Sequence, residues 1–316
     1  MAIYQIGSKG PEVGRIQQFL RDRGLSSGPV DGIFGGGTEG TVRAFQKAAG
    51  LPIDGQVGPS TWTAMFGEAP QPPSLLTQPL AFRCLALSGA FETDAPPPEC
   101  FAGLTGDFDG QGLSFGALQW CLGQGRLQPL LRTMRQRFPD RLEAVFGARN
   151  AELVAMLDAP LAAQMEWARS IQAPRFRVDE PWRGCFKALG RTPEYQGIEV
   201  EAAEALFAAA RGMCHRFALT SQRAVALMFD IRVQNGEIPP AIEAAIRTDM
   251  AALGPTPPDE VAVLRIIANR RAEDCKPAFV EDVRRRKLAI AEGVGIVHGN
   301  TYDLAGQYGI DLSPAQ

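Results

Sequence analysis

Near its N-terminus the chain carries one short pattern twice. Val30-Asp31-Gly32-Ile33-Phe34-Gly35-Gly36-Gly37-Thr38 recurs as Ile53-Asp54-Gly55-Gln56-Val57-Gly58-Pro59-Ser60-Thr61, an offset of 23 residues. A repeat this short limits what the stretch can become, because two like turns must each close beside a helix. In each copy Asp-Gly supplies a tight turn, and a hydroxyl near the end, Thr38 or Thr61, is placed to cap the helix that follows. Apolar spacing predicts helices over 11–23, with Val13, Ile16 and Leu20 on one face, and over 38–49, with Val42 and Phe45 inward. Gly24 and Gly50 stand where left-handed C-terminal caps belong. The expectation is a compact three-helix unit.

The proline-rich stretch Gly67-Glu68-Ala69-Pro70-Gln71-Pro72-Pro73-Ser74 has no apolar period and reads as a semi-rigid linker. It divides the chain into a small domain over 1–67, a linker at 68–77 and a large domain over 78–316. The large domain reads as mostly helical. Leu80, Cys84, Leu87 and Phe91 recur at helical spacing over 79–91, with Leu85 and Glu92 on an adjoining stripe. Residues 108–120, rich in glycine and aromatics, read as a short hairpin or irregular lobe, and helices resume near Leu127. Ser221 to Val233 is apolar almost all round, the mark of a buried central helix, and Gly293 ends a helix over 280–292.

Several function classes drop out on composition. The net charge of −3 over 316 residues carries no polybasic signature, so neither nucleic acid nor an anionic membrane is the expected partner. No apolar run approaches the roughly 18 residues of a membrane span. Six scattered cysteines without a C-x-x-C pair, and only two histidines, His215 and His298, argue against a structural metal or a Cys-His nucleophile. Buried free thiols are expected, with one or two disulfides as the alternative in an oxidising compartment. No cofactor or metal is called for. The chain opens without a basic region followed by an apolar core, so no signal peptide is read there and export by another machine is expected.

Two carboxyls carry the chemistry. Glu92 ends the helical stretch Ser88-Gly89-Ala90-Phe91-Glu92, and Asp109 follows seventeen residues later in Gly106-Asp107-Phe108-Asp109-Gly110-Gln111-Gly112-Leu113-Ser114-Phe115-Gly116. Cleaving a glycoside asks for one acid kept protonated and one kept ionised. Apposition to Leu85 and Phe91 would desolvate Glu92 and hold its proton, whereas Asp109, among glycines, has backbone N–H groups and solvent to stay charged. Glu92 is the candidate acid and Asp109 the candidate base. Asp107 is the rival base, with Asp94 and Glu99 in reserve. Asp230 lies in an apolar run, so it is either paired, with Arg232 or the Arg284-Arg285-Arg286-Lys287 cluster as partners, or lines the cleft.

Residues 5–66, with the doubled D-G-x-[FV]-G-x-x-T pattern, the Phe45-Gln46 pair and Trp62 in register, resemble the peptidoglycan-binding modules found beside bacterial and phage cell-wall enzymes. The resemblance implies an anchor for glycan or stem peptide, with Asp31, Phe34, Asp54 and Trp62 as its wall-binding residues. Glu92, then Asp109-Gly110-Gln111-Gly112, then Ser114 and Gly116, then Cys121-Leu122-Gly123-Gln124-Gly125, is similar to the chitosanase-type glycoside hydrolases of the lysozyme-like superfamily. Met228 to Gly236 looks like the central-helix motif of the same enzymes. The resemblance implies a mainly α protein, with the three-helix module joined to a lysozyme-like α+β catalytic domain bearing a short β-hairpin lobe.

It also implies an inverting mechanism in which Ser114 helps Asp109 direct water. Asp107, Gln119, Arg126 and Asp230 are the expected substrate-contacting residues. Where chitosanases carry an acidic residue after the Gly-x-Gly, this chain has Arg126, which suits an anionic glycan better than cationic chitosan. The expected activity is that of a muramidase acting on peptidoglycan, with a chitosanase or a noncatalytic wall-binding protein as alternatives. The setting expected is a phage endolysin released by a holin, or an effector delivered by a secretion system and met by an immunity protein, acting as a monomer in the periplasm or wall.

Overall fold

The structure, a computed structural model, describes residues 4–6, 8, 11–25, 28–67, 74–254 and 259–315. Most of the expected linker, residues 68–73, lies outside these. The N-terminal repeat folds into three helices, α1 (Pro11–Asp22), α2 (Gly36–Ala48) and α3 (Pro59–Phe66). Gly24 and Gly50 both take φ of 68°, the left-handed backbone that closes α1 and α2 without a Cβ penalty. Val13, Ile16, Leu20, Phe34, Val42, Phe45, Val57, Trp62 and Met65 form the module's core.

The repeated turns are held differently from the sequence expectation. Thr38 and Thr61 lie inside α2 and α3 rather than at their N-caps, which are Gly35 and Gly58. Their hydroxyls instead accept from buried glutamines of the preceding helices. Gln17 Nε2 donates to Asp31 Oδ1 at 2.9 Å, the Ile33 carbonyl at 2.9 Å and Thr38 Oγ1 at 3.2 Å, while its Oε1 accepts the Gly32 N–H at 2.8 Å. Gln46 repeats the arrangement on Asp54 at 2.7 Å, the Gln56 carbonyl at 2.8 Å, Thr61 at 3.2 Å and the Gly55 N–H at 2.9 Å. The seven-residue Asp-to-Thr spacing therefore places acceptors around one primary amide.

Contacts divide the chain into two units, one of residues 1–84 and 206–316 and the other of residues 85–205. The division falls inside two helices, α4 (Leu80–Thr93) and a later long one, Pro193–Arg216. Unit 85–205 begins with a three-stranded antiparallel sheet, β1 (Leu104–Thr105), β2 (Ser114–Phe115) and β3 (Trp120–Cys121), in the order β1-β2-β3. Four helices follow, α5 (Leu127–Arg137), α6 (Pro139–Phe146), α7 (Asn150–Asp158) and α8 (Leu161–Ser170). A small hairpin, β4 (Gln172–Ala173) with β5 (Arg177–Val178), precedes α9 (Trp182–Gly190) and the long α10 (Pro193–Arg216). Phe115, Phe186 and Tyr195 pack at its centre, with 5.1 Å between the Phe115 and Phe186 rings.

The C-terminal part of the other unit is α11 (Gln222–Gln234), α12 (Pro240–Ala252), α13 (Glu260–Glu273), α14 (Val280–Glu292) and an antiparallel hairpin, β6 (Val294–Val297) with β7 (Asn300–Asp303). The protein is mostly helical with small strand hairpins. The α11 helix starts on Ser221, whose hydroxyl accepts the Ala224 N–H at 3.0 Å, and is buried continuously from Ala224 to Ile231. All six cysteines are free thiols, and Cys84, Cys100, Cys121 and Cys214 are buried.

Asp230 corrects one site expectation. It is fully buried and bound by Arg286, whose Nη2 donates at 2.7 Å and Nε at 3.0 Å, and by Lys287, so it joins α11 to α14 and cannot line a cleft. Burial alone would raise its pKa, but the charges of Arg286 and Lys287 outweigh it and hold the carboxyl well below the usual range. Arg232 pairs with Glu237 instead, at 2.8 Å. Removing the anion leaves two cations stranded in the core, so Asp230→Ala is expected to cost about 3–5 kcal/mol, measured by denaturant unfolding. Because the folded-state pKa lies below the unfolded one, Asp230 contributes fully above about pH 4 and its contribution falls as pH drops through the folded value. Stability between pH 4 and pH 2 should therefore fall less steeply in the variant than in the parent.

Candidate active site

Glu92 is delivered by α4. Every residue from Arg83 to Phe91 is buried, and the helix surfaces only in its last turn, at Glu92. The expected burial against Leu85 and Phe91 is not what the structure shows. Those two side chains point into the packed stretch, and Glu92, one turn further, is exposed. Thr93 Oγ1 donates to the Gly89 carbonyl at 2.8 Å and Asp94 turns left-handed with φ of 52°, which ends the helix beyond the carboxyl. Gly89 faces the turn after β2. A Cβ there would stand 2.8 Å from that of Ala117, so the missing side chain lets α4 press onto the lobe.

The two aspartates of the acidic turn are used in opposite ways. Asp107 is 9% exposed; its Oδ1 accepts the Gly112 N–H at 2.6 Å and its Oδ2 takes Arg169 Nε at 2.7 Å. Burial works against its charge, but Arg169 and the Gly112 N–H outweigh it and hold the carboxyl below the usual range. Gln172 braces the same turn, its Oε1 accepting the Asp107 N–H at 2.9 Å while its Nε2 donates to the Gly112 carbonyl at 2.9 Å and the Ala168 carbonyl at 2.7 Å. Asp109 stays exposed at the tip, with Oδ1 accepting the Gln111 N–H at 3.1 Å.

Ser114 is nearly covered in β2, opposite Thr105 and Cys121. Gln119, left-handed with φ of 51°, accepts from Thr105 Oγ1 and donates to the Gly116 carbonyl, both at 2.9 Å, which binds it into the lobe. Arg126 is exposed just before α5 and makes no ion pair among the described residues. In the N-terminal module Phe34 and Trp62 are core residues, while Asp31 and Asp54 hold their turns, so these four build the module's shape.

One residue of the lobe escaped the sequence reading. Glu199 on α10 is fully buried, and its Oε2 accepts the Ala117 N–H at 3.2 Å beside Gly116, where any side chain would strike its Oε1. Burial pushes its carboxyl well above the usual range, against the pull of the Ala117 N–H. The available signal was its place on the inward stripe of α10, between Tyr195 and Ala203 at four-residue spacing.

Comparison with known proteins gives the module a family. Residues 9–65 match the family described as "Putative peptidoglycan binding domain". Spore cortex-lytic enzymes are similar over this stretch, one from Bacillus cereus at 42% identity over 59 residues and one from Oceanobacillus iheyensis at 39% over 59 residues. Each match takes in 19% of this chain, and the chain spans only 23% and 21% of those two relatives. Among solved structures, a chitosanase complex is similar with a TM-score of 0.43 at 16% identity, covering 71% of this chain and 95% of that one. A chitosanase from Gynuella sunshinyii with chitotetraose gives a TM-score of 0.41 at 14% identity, over 69% and 87% of the two chains. A Burkholderia AP3 phage endolysin gives 0.20 at 17% identity, over 90% and 98%.

The contrast between the aspartates predicts a split in stability. Asp107→Ala deletes two charge-assisted bonds under the turn and is expected to cost about 1–3 kcal/mol. Asp109→Ala loses one exposed Asx bond and should leave the melting temperature close to the parent's. Thermal unfolding of the two variants side by side checks this.

Proposed function

We propose that the protein is a peptidoglycan hydrolase that cleaves the β-1,4 glycan backbone by acid and base catalysis. The observation that carries the reading is the division of labour in the acidic turn. Asp107 is consumed in holding it, while Asp109 is left at its tip, in the same unit as the exposed Glu92 that ends α4. The match of residues 9–65 to a peptidoglycan-binding family supplies the polymer, and the spore cortex-lytic relatives carry a similar module beside a lytic activity.

In this mechanism Glu92 gives its proton to the bridging oxygen as the C1–O bond breaks. A sugar seated over its exposed carboxyl displaces water and supplies the desolvation that the helix does not. Asp109, at the tip of the turn, accepts a proton from the water that adds to C1 on the opposite face, with the Ser114 hydroxyl orienting that water. Inversion of this kind requires roughly 6.5–9.5 Å between the carboxyls. One bond is hydrolysed, Glu92 ends deprotonated and Asp109 protonated, and solvent restores both. Arg126 favours an anionic wall polymer over chitosan.

Digestion of purified peptidoglycan followed by mass spectrometry tests the reading. New reducing ends on N-acetylmuramic acid are expected, and release of stem peptides in their place would sink it. Glu92→Gln and Asp109→Asn should each lower kcat by about 100-fold or more, with retention of wall binding through the module. Greater turnover on chitosan than on peptidoglycan would move the assignment to a chitosanase.

A further inference from the structure

A second feature of unit 85–205 bears on what the glycan must carry. Beside the acidic turn lies an open pocket of about 330 Å³, walled on one side by Gly106 and Phe108 from that turn and on the other by the β4–β5 hairpin and α9. Its rim holds four cations, Arg175, Arg177, Arg183 and Lys187, and no carboxylate lines it. Among the described residues Arg175 and Arg177 make no ion pair, and Arg183 pairs with Glu180 at 2.6 Å. Lys187 is held below the usual ammonium range by burial, with Glu99 pulling the other way and Arg191 and Arg183 adding like-charge pressure. Phe108 and Phe176, 67% and 51% exposed, leave two aromatic faces at the edge.

The hairpin is built to hold this arrangement. Arg175 and Phe176 are both left-handed, with φ of 66° and 59°, a backbone that non-glycine residues adopt only where their surroundings enforce it. What enforces it here is the acidic turn itself. Gly106 has no side chain to strike the Phe176 carbonyl, and Gln172, from β4, bonds the Asp107 N–H and the Gly112 carbonyl. The residues that fix the direction of Asp109 thus also fix the cationic rim.

We infer that this pocket is a subsite for the carboxylates of the peptide substituents borne by an anionic glycan, so that the protein reads the decorated wall polymer rather than the bare sugar chain. The inference rests on the hydrolase reading above. In peptidoglycan a peptide hangs from the lactyl ether of every second sugar, which places carboxylates close to each scissile bond. The planar guanidinium groups of Arg175 and Arg177 suit carboxylates, and the apolar walls of Leu104 and Val178 suit the aliphatic parts of the peptide.

The test uses the full chain on three substrates: intact peptidoglycan, peptidoglycan freed of phosphodiester-linked polymers by hydrofluoric acid, and glycan strands stripped of peptides by an amidase. For the parent, KM is expected to rise roughly tenfold on stripping and to stay put after the acid. Arg175→Ala with Arg177→Ala should raise KM on intact wall by a similar factor, without adding to the effect of stripping. Arg175→Lys with Arg177→Lys should recover most of the loss, and thermal unfolding shows that both variants fold. An unchanged KM on stripping, or a penalty of equal size on stripped strands, overturns the subsite. A rise caused by the acid alone assigns the pocket to phosphate and also overturns it. If no substrate yields reducing ends, the hydrolase reading fails, and calorimetry with a soluble disaccharide-tetrapeptide still decides the subsite by whether the alanine variant binds more weakly than the parent.

Discussion

A primary amide, buried in the module and half-buried at the acidic turn, stands in for missing backbone partners and is the interaction on which both depend. A chain of many helices joined by tight turns leaves N–H and C=O groups that must be paired wherever water is shut out. A glutamine offers two donors and an acceptor at no net charge, so it can close such a turn without the cost of burying an ion. Gln17 and Gln46 do this for the two Asp-Gly turns of the module, and Gln172 does it for the turn that carries Asp109. Gln128 and Gln164 bond one another at 2.7 Å and share the carbonyls of Leu122 and Ala159 in the same way. Where the amide sits, the loop has one shape.

The carboxyls sort by what surrounds them. Asp230 is enclosed by two cations, Asp107 by one cation and a backbone N–H, and Glu199 is enclosed without a cation, so burial pushes its carboxyl well above the usual range. Each of these ties two segments together. Glu92 and Asp109 sit where chain geometry brings them to the surface, at the end of a packed helix and at the tip of a braced turn. At Asp107 and Asp109 a carboxyl committed to structure and one left at the surface thus stand two residues apart.

Much of this was legible in the residues because it is local. Helical periodicity placed α11 within a residue of its ends and α14 over its full extent, and Gly24 and Gly50 marked real left-handed caps. The glycine-rich lobe at 108–120 does contain β2 and the start of β3. What was not legible depends on residues far apart in sequence. Thr38 and Thr61 have the composition of N-caps, yet their hydroxyls serve glutamines twenty-one and fifteen positions upstream. Asp107 could not be told from Asp109 because Arg169 and Gln172 lie more than sixty positions away. Glu92 shares a helical stripe with Leu85, but a stripe does not say where packing stops, and here it stops at Phe91.

Gly89 gives the lobe a steric ruler. The helix that ends in Glu92 rests against Ala117 with no room for one more carbon, and the strand before Ala117 follows directly on the turn that presents Asp109. How closely α4 approaches the lobe is thereby set at a position that bears neither Glu92 nor Asp109. An alanine there would force α4 or the lobe to shift without altering either carboxyl. If Glu92 and Asp109 act as proposed, the room left for water, on which the stereochemical outcome depends, is a matter of helix packing.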